Sequence, residues 1–186
     1  MNYEQFKDKY LLLDANILIN YAKYARLLDR ILRGFDDLNV TTVLDEMVRF
    51  EFLRYAVSSN ETNALKNFLK TIFKLDDKEI DTPYSQPTTE IIHYATEIAN
   101  IYAWRLKNQK ISLVDCFLAA RMRKLNETRP DRVYLASADS TDFPSLLFDR
   151  VGIDTVDLGE NILNICFYRF NRDKFSSVYA EYKSQG

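Results

Sequence analysis

The chain has 186 residues, of which 47% are hydrophobic and 28% charged, and its formal net charge is −2. This length and composition indicate one globular domain with a sizeable core and exclude a mainly disordered chain. A net charge near zero argues against a static, sequence-independent nucleic-acid binder, because such proteins are usually strongly basic. An enzyme that binds phosphate through metal ions is still compatible with this net charge, since bound cations change the local charge.

Residues that could serve as soft or imidazole ligands are few. Cys116 and Cys166 lie far apart without CxxC spacing, so we expect both to be reduced and packed, as in a cytoplasmic protein. His93 is the single histidine, which argues against Cys/His zinc sites and most Ser-His-Asp schemes. We therefore expect carboxylates to carry any chemistry.

Residues 1–9 are charged and no apolar run approaches a membrane span, so we expect no signal peptide and no membrane partner.

Hydrophobic patterning alternates between strands and helices along the chain. Strands are predicted at residues 10–13, 38–43, 133–137 and 152–158. Helices are predicted at residues 17–32, 44–57, 61–74, 87–107, 113–126 and 161–182, with Gly34 as the first C-terminal stop, a loop at 75–86 and a turn at 108–110. Such alternation predicts a three-layer α/β fold with a central, mostly parallel sheet of about four to five strands flanked by helices.

The predicted elements also suggest a domain division. Residues 1–160 would form the main domain, into which a helical hairpin is inserted at about residues 61–108. Residues 161–186 would form a C-terminal helical extension.

Asp14 comes directly after the first predicted strand and directly before the first long helix. Open α/β sheets bind ligands at the carboxyl ends of their strands, so a functional site is expected here. The alternative is that Asp14 only caps the helix through its side-chain oxygen.

Two glutamates compete for a site role on the second predicted helix. Glu51 has apolar and aromatic neighbours at helical spacing, where a carboxylate is costly unless it is paired or binds a cation. Glu46 lies five residues away, about 140° around the helix, so the two do not share a face. Glu51 could instead pair with Arg54 or Arg49, and Glu46 could be solvated. We favour Glu51 and keep Glu46 as the alternative acid.

Three aspartates follow later in the chain. Asp115 could form a capping box with Ser112 at the start of a helix, yet its helical neighbours are apolar. Asp139 and Asp142 follow the third predicted strand, where an Asx-turn is the ordinary explanation. Acids after strands one and three should meet at one sheet edge, and clustered carboxylates favour hard cations such as Mg²⁺ or Mn²⁺. Two such ions suit in-line attack of water on a phosphodiester.

With these acids in place, the sequence resembles the PIN domain family of VapC-type toxin ribonucleases and related nucleases. Residues 13–19 resemble its opening DxN motif, and residues 49–54 resemble its second motif, a Glu followed by a large apolar residue. Residues 113–120 resemble the third motif, an Asp on a helix rich in small residues. Residues 137–143 resemble the last, a Thr/Ser-x-Asn/Asp-x-x-Asp-Phe pattern. The ordered set spans most of the chain.

The resemblance implies a metal-dependent endoribonuclease that hydrolyses RNA with Mg²⁺ or Mn²⁺ and acts as the toxin of a toxin–antitoxin pair. It implies catalytic carboxylates at Asp14, Glu51, Asp115 and Asp142. The implied metal ligands are Asp14, Asp115, Asp139 and Asp142. Asn16 and Ser137 would be the polar groups that orient these ligands. The expected partners are an RNA substrate and an antitoxin protein, and a homodimer is left open.

Other readings start from the same residues. A PIN-like scaffold that binds RNA or a protein without turnover is the main alternative. A haloacid-dehalogenase-like phosphatase would need a second Asp where Asn16 stands, and a dinucleotide-binding domain would need GxGxxG. Tyr102 and Trp104 could stack an RNA base, or they could pack a helical hairpin or a dimer interface. A basic stretch could contact phosphate or form a solvated face; it comprises Arg121, Arg123, Lys124, Arg129 and Arg132.

Overall fold

The computed structural model of the protein describes residues 1–75, 88–107 and 111–185. The strands are β1 (Tyr10–Leu13), β2 (Thr41–Val43), β3 (Val133–Ser137), β4 (Phe148–Asp157) and β5 (Ile162–Phe170). The helices are α1 (Ala15–Asp37), α2 (Glu46–Leu53), α3 (Ser59–Phe73), α4 (Thr89–Arg105), α5 (Leu113–Thr128) and α6 (Arg172–Lys183), and a 3₁₀ helix (Tyr3–Phe6) precedes β1. The predicted turn at 108–110 and all but Leu75 of the predicted loop at 75–86 lie outside the described residues.

The five strands form one sheet in the order β2-β1-β3-β5-β4. β1 is parallel to β2 and β3, whereas β5 is antiparallel to β3 and β4. An α/β fold with helices around a central sheet is therefore confirmed. The prediction of a mostly parallel sheet is wrong, because the sheet is mixed.

The main error of the sequence prediction lies between residues 161 and 170. This segment was expected to begin a long helix, but residues 162–170 form β5 inside the sheet, and α6 begins only at Arg172. Gly159, with φ of +91°, lies in the tight turn that connects β4 to β5. The segment is rich in Ile, Phe and Tyr, which favour strands, and its long antiparallel pairing with β4 supplies the backbone hydrogen bonds. The predicted helical extension at 161–186 is thus wrong for 162–170.

Two further helix predictions differ from the structure. α1 continues past Gly34 to Asp37, so the predicted stop at that glycine is wrong. The predicted helical hairpin at 61–108 is not confirmed. α3 packs against α2 and β2, whereas α4 packs against α5 and α6.

Aromatic side chains join the N-terminus, the first helix and the sheet into one core. The ring of Phe6 lies 5.7 Å from that of Phe35 on α1 and 5.1 Å from that of Phe167 on β5. All three side chains are buried. In the ranges that the structure describes, no helix has the length and apolar character needed to cross a membrane.

The parallel pairing of β1 with β3 determines where the acids emerge. Leu13 pairs with Ala136, and the backbone N–H of Asp14 donates to the Ala136 carbonyl at 3.0 Å. The residues that follow the two strands therefore leave the sheet side by side at its carboxyl edge. This edge brings Asp14 next to Ser137 and the segment that carries Asp142.

Candidate metal centre

Three aspartates from distant parts of the chain converge at this edge. Asp14 lies between β1 and α1, Asp115 lies in the first turn of α5, and Asp142 lies in the segment after β3. Each offers one carboxylate oxygen, and these oxygens all lie within 4.8 Å of one another. Asp14 and Asp115 are buried, and Asp142 is half-buried. We call Asp14, Asp115 and Asp142 the aspartate group.

Asp14 is held by two polar side chains. It occupies the position before α1, but its side chain makes no capping hydrogen bond, so the capping alternative fails. The Ser137 hydroxyl donates to Oδ2 of Asp14 at 2.8 Å, and Nδ2 of Asn16 donates to the same oxygen at 2.8 Å. Oδ1 of Asn16 accepts from the backbone N–H of Ala138 at 2.8 Å. The two residues expected to orient the metal ligands thus tie Asp14 to the end of β3.

Asp115 forms the capping box that its sequence allowed and also belongs to the aspartate group. Its Oδ2 accepts from the backbone N–H of Ser112 at 3.0 Å, while its own N–H donates to the Ser112 hydroxyl at 3.1 Å. This capping box begins α5 and fixes the carboxylate toward the protein interior. A carboxylate has two oxygens, so the capping box leaves one of them for a cation.

Asp142 and Asp139 occupy different places although they are three residues apart. Asp139 is exposed, and its Oδ1 accepts from the backbone N–H of Thr141 at 2.8 Å, which is the Asx-turn considered above. Asp142 points toward the other two aspartates. The structure therefore brings Asp142 into the aspartate group, while Asp139 acts on it through its charge.

The two glutamates of α2 have different partners in the structure. Glu51 is half-buried and pairs with Arg54 at 3.3 Å, and its charge acts on both Asp14 and Asp142. Glu46 pairs instead with Arg121 on α5 at 2.8 Å. The preferred acid, Glu51, therefore acts on the aspartate group through its charge, whereas the alternative acid, Glu46, belongs to an ion pair between two helices.

Arg121 also pairs with a second acid of this region, Asp45, which was not among the predicted site residues. Asp45 is buried, accepts from Nε of Arg121 at 3.0 Å, and caps α2 through the N–H of Met47 at 2.9 Å. The helix was predicted to begin at residue 44, whereas α2 begins at Glu46, so Asp45 was not recognised as its cap. The long-range contact to Arg121 had no signal.

Electrostatics disfavour full ionisation of the acids. Burial, followed by the charges of Asp115 and Glu51, raises the pKa of Asp14 to about 7 against the opposing hydrogen bond from Ser137. Burial and the charges of the neighbouring acids raise the pKa of Asp142 to about 7 as well. Burial also raises the pKa of Asp115 and of Glu51. Clustered acids with raised pKa values are typical of functional sites.

The donor set fits a hard divalent cation. Three carboxylates within 4.8 Å supply oxygen ligands, which Mg²⁺ and Mn²⁺ prefer, and a cation would neutralise their repulsion. Comparisons of the chain with protein-family models, curated proteins and solved structures found no match. The assignment of a metal centre therefore depends on the geometry of these side chains.

Most of the candidate substrate-contacting residues already have protein contacts. Arg121 and Arg123 pair with acids on α2 and α4, Lys124 pairs with Glu90 at 2.7 Å, and Arg129 lies over the Tyr10 ring at 4.2 Å. Tyr102 is buried, and the Trp104 ring packs 5.8 Å from that of Tyr182. Both aromatic side chains therefore have packing partners within the protein.

Proposed function

We propose that the protein is a Mg²⁺- or Mn²⁺-dependent endoribonuclease of the PIN type. The convergence of Asp14, Asp115 and Asp142, with ligand oxygens within 4.8 Å of one another, carries this proposal. Asp14 lies 101 residues before Asp115, and Asp115 lies 27 residues before Asp142, so local structure alone does not require their meeting. They are three of the four catalytic acids that the PIN resemblance implied, and the fourth, Glu51, influences the ionisation of Asp14 and Asp142.

Each residue of the candidate metal centre would have a distinct role in this activity. The aspartate group would hold the cations, and Glu51 would add negative charge beside them. Ser137 and Asn16 hold Asp14 in one orientation through hydrogen bonds to its Oδ2. When bound, divalent cations supply Lewis acidity that activates water and offsets charge on a phosphodiester. The raised pKa values mean that these carboxylates release protons when cations bind near neutral pH.

The biological role in the proposal follows from the same resemblance. The protein would act as the toxin of a toxin–antitoxin pair, with RNA as substrate and an antitoxin as its protein partner. A non-catalytic PIN-like scaffold remains the competing proposal. The two differ in whether cation binding leads to cleavage.

The test is metal-dependent cleavage of single-stranded RNA. Wild type is incubated with a mixed-sequence RNA in Mn²⁺, Mg²⁺ or EDTA and compared with Asp14→Asn and Asp115→Asn. The expected result is cleavage that requires a divalent cation and is lost in both variants. Asp37→Asn is the matched control, because Asp37 is an exposed acid at the far end of α1.

Calorimetric titration with Mn²⁺ accompanies the cleavage assay. An absence of both cleavage and Mn²⁺ binding in wild type would overturn the metal-nuclease proposal. Mn²⁺ binding without cleavage of any RNA in a mixed pool would favour the scaffold. Equal cleavage by Asp14→Asn and wild type would show that the activity does not come from the aspartate group.

A further inference from the structure

A cavity of about 290 Å³ adjoins the segment that carries Asp142. Ser140 and Phe143, which flank Asp142 in the sequence, contribute to its lining, and so does Arg150 near the start of β4. Its volume is close to the roughly 300 Å³ at which the usual range of small-molecule sites begins. We call it the β4 cavity.

The β4 cavity combines an aromatic wall with hydroxyl groups. The ring of Phe143 lies 5.5 Å from that of Tyr168 and 5.4 Å from that of Phe148, and all three residues line the cavity. Ser140 and Ser145 add two exposed hydroxyl groups to the lining. A mainly apolar wall with a few polar groups is the usual composition of a site that binds a small ring system.

Arg150 gives the β4 cavity a positive charge. Among the described residues that line the cavity, it alone is charged. Its side chain is exposed, and its guanidinium forms no hydrogen bond or ion pair within the described part of the chain. A guanidinium binds phosphate well, because two parallel N–H groups can contact two phosphate oxygens. The cavity therefore suits a ligand that has both a phosphate and a ring system, which is the chemistry of a nucleotide.

Hydrogen bonds connect the β4 cavity to the aspartate group. The Tyr168 hydroxyl lies 3.5 Å from the carbonyl oxygen of Asp139. The backbone N–H of Asp139 donates to the Ser137 hydroxyl oxygen at 3.0 Å, and this hydroxyl donates to Asp14 at 2.8 Å. The cavity and the candidate metal centre thus share the segment after β3, so one RNA strand can reach both.

We propose that the β4 cavity binds a nucleotide of the RNA substrate next to the bond that is cleaved. The Arg150 guanidinium pairs with a phosphate of this nucleotide, and the base packs against the aromatic wall beside the hydroxyls of Ser140 and Ser145. Arginine commonly positions nucleic acids through their phosphates, and single-stranded RNA offers unstacked bases to such cavities. The inference rests on the proposed function, because it adds a substrate contact to the same site.

The test measures RNA binding by the full-length protein in EDTA, where metal-dependent cleavage does not occur. Fluorescence anisotropy with a labelled single-stranded RNA of mixed sequence compares wild type with Arg150→Gln. The Kd should increase roughly tenfold, because one charged hydrogen-bonding contact is lost. The slope of log Kd against log salt concentration should decrease by about 0.7, which is the effect of one phosphate contact to a single strand. A merely structural role would not change this slope.

Cleavage in Mn²⁺ gives a second measurement on the same variant. The loss of kcat/KM in Arg150→Gln should come chiefly from KM, because the residue contacts the substrate away from the cations. The calorimetric Mn²⁺ affinity and the melting temperature should stay at their wild-type values, since the Arg150 guanidinium is exposed and has no partner in the described chain.

Two further variants separate a specific contact from net charge. Arg33→Gln removes the same charge from a side chain that is 79% exposed, at the end of α1 remote from Asp14, so RNA affinity and the salt slope should not change. Arg150→Lys keeps the charge at the cavity. It should restore the salt slope but only part of the affinity, because lysine lacks the two parallel N–H groups.

The outcomes distinguish the inference from the proposed function. If wild type binds RNA and Arg150→Gln binds it with the same Kd and salt slope, the inference is overturned while the nuclease proposal stands or falls by its own assay. Equal losses in Arg150→Gln and Arg33→Gln would also overturn it. A wild type that binds RNA through Arg150 but never cleaves it would remove the nuclease activity and keep the β4 cavity as an RNA site. A wild type that does not bind RNA would overturn the inference.

Discussion

Arg121 and Asp45 form an ion pair that joins α5 to the start of α2, with 3.0 Å between Nε and Oδ2. The Asp45 side chain is 4% exposed and also caps α2. Because α2 carries Glu51 and α5 carries Asp115, this pair sets the relative position of two acids at the candidate site.

Replacement of Arg121 by methionine should therefore destabilise the protein. The substitution keeps a long side chain but leaves the Asp45 carboxylate buried without its cation. We expect the free energy of unfolding to fall by about 3 kcal/mol, as for other buried ion pairs that lose one partner. Urea denaturation in the absence of metal measures this loss.

Arg33→Met is the matched control for this prediction. Arg33 pairs with Asp29 at 2.9 Å, but its side chain is 79% exposed, so solvent screens the interaction. We expect little change in stability. Equal losses in the two variants would contradict a special role for the Arg121–Asp45 pair.

The stability of the metal-free protein should decrease as the pH rises from about 4 to about 7. Burial and neighbouring charges raise the pKa of Asp14 and of Asp142 from 3.8 to about 7. The folded state therefore binds more protons than the unfolded chain in this window, and the stabilisation present below it is lost as the pH rises. Urea denaturation at several pH values in EDTA should show this slope, and saturating Mn²⁺ should reverse it because the cation binds the ionised carboxylates.

Asp142→Asn isolates one contribution to this pH dependence. The amide cannot ionise, so the metal-free variant should have a shallower slope and exceed wild type in stability above about pH 7. Asp37→Asn should keep the wild-type slope. A metal-free wild type whose stability rises steadily over the same window would contradict the raised pKa values.

Ser137→Ala should raise the pKa of Asp14 further. The Ser137 hydroxyl donates to the Asp14 carboxylate at 2.8 Å and favours its ionised form. Loss of this buried hydrogen bond should also reduce stability by about 1–2 kcal/mol. Carbon-13 NMR titration of the aspartate carboxyl groups measures the pKa. Ser140→Ala, at an exposed serine of the following segment, should leave the pKa of Asp14 unchanged.

Arg123 should be important for the attachment of α6. Its guanidinium lies 3.6 Å from the centre of the Tyr94 ring and 4.2 Å from that of Phe175 on α6, and it pairs with Glu97 at 2.6 Å. Arg123→Met should cost about 2 kcal/mol by removing the cation–π contacts and the ion pair. Hydrogen exchange should increase chiefly in α6.

Arg123→Lys tests whether the planar guanidinium matters. Lysine keeps the charge but cannot stack on two rings, so it should recover only part of the loss. Full recovery by lysine would show that charge alone holds α6.

Local sequence patterns predicted several elements of the fold correctly. The apolar run of β1, the capping box of Ser112 with Asp115 and the buried strand Val133–Ser137 all appear in the structure as predicted. The acids at the ends of these elements could also be named, because strand ends and helix starts lie at the edge of an α/β sheet.

Long-range contacts determined the features of the fold and of the site that local sequence patterns did not predict. β5 is a strand that completes backbone hydrogen bonds with β3 and β4, and its Ile, Phe and Tyr residues suit that state, although the segment was expected to be helical. Asp142 rather than Asp139 meets Asp14 because of how the segment after β3 packs, and Glu46 is held by Arg121 because α2 packs against α5. The sequence alone determined which residue types were available for a metal centre. Tertiary packing determined which carboxylates meet, because burial, charge and distance are properties of the folded chain.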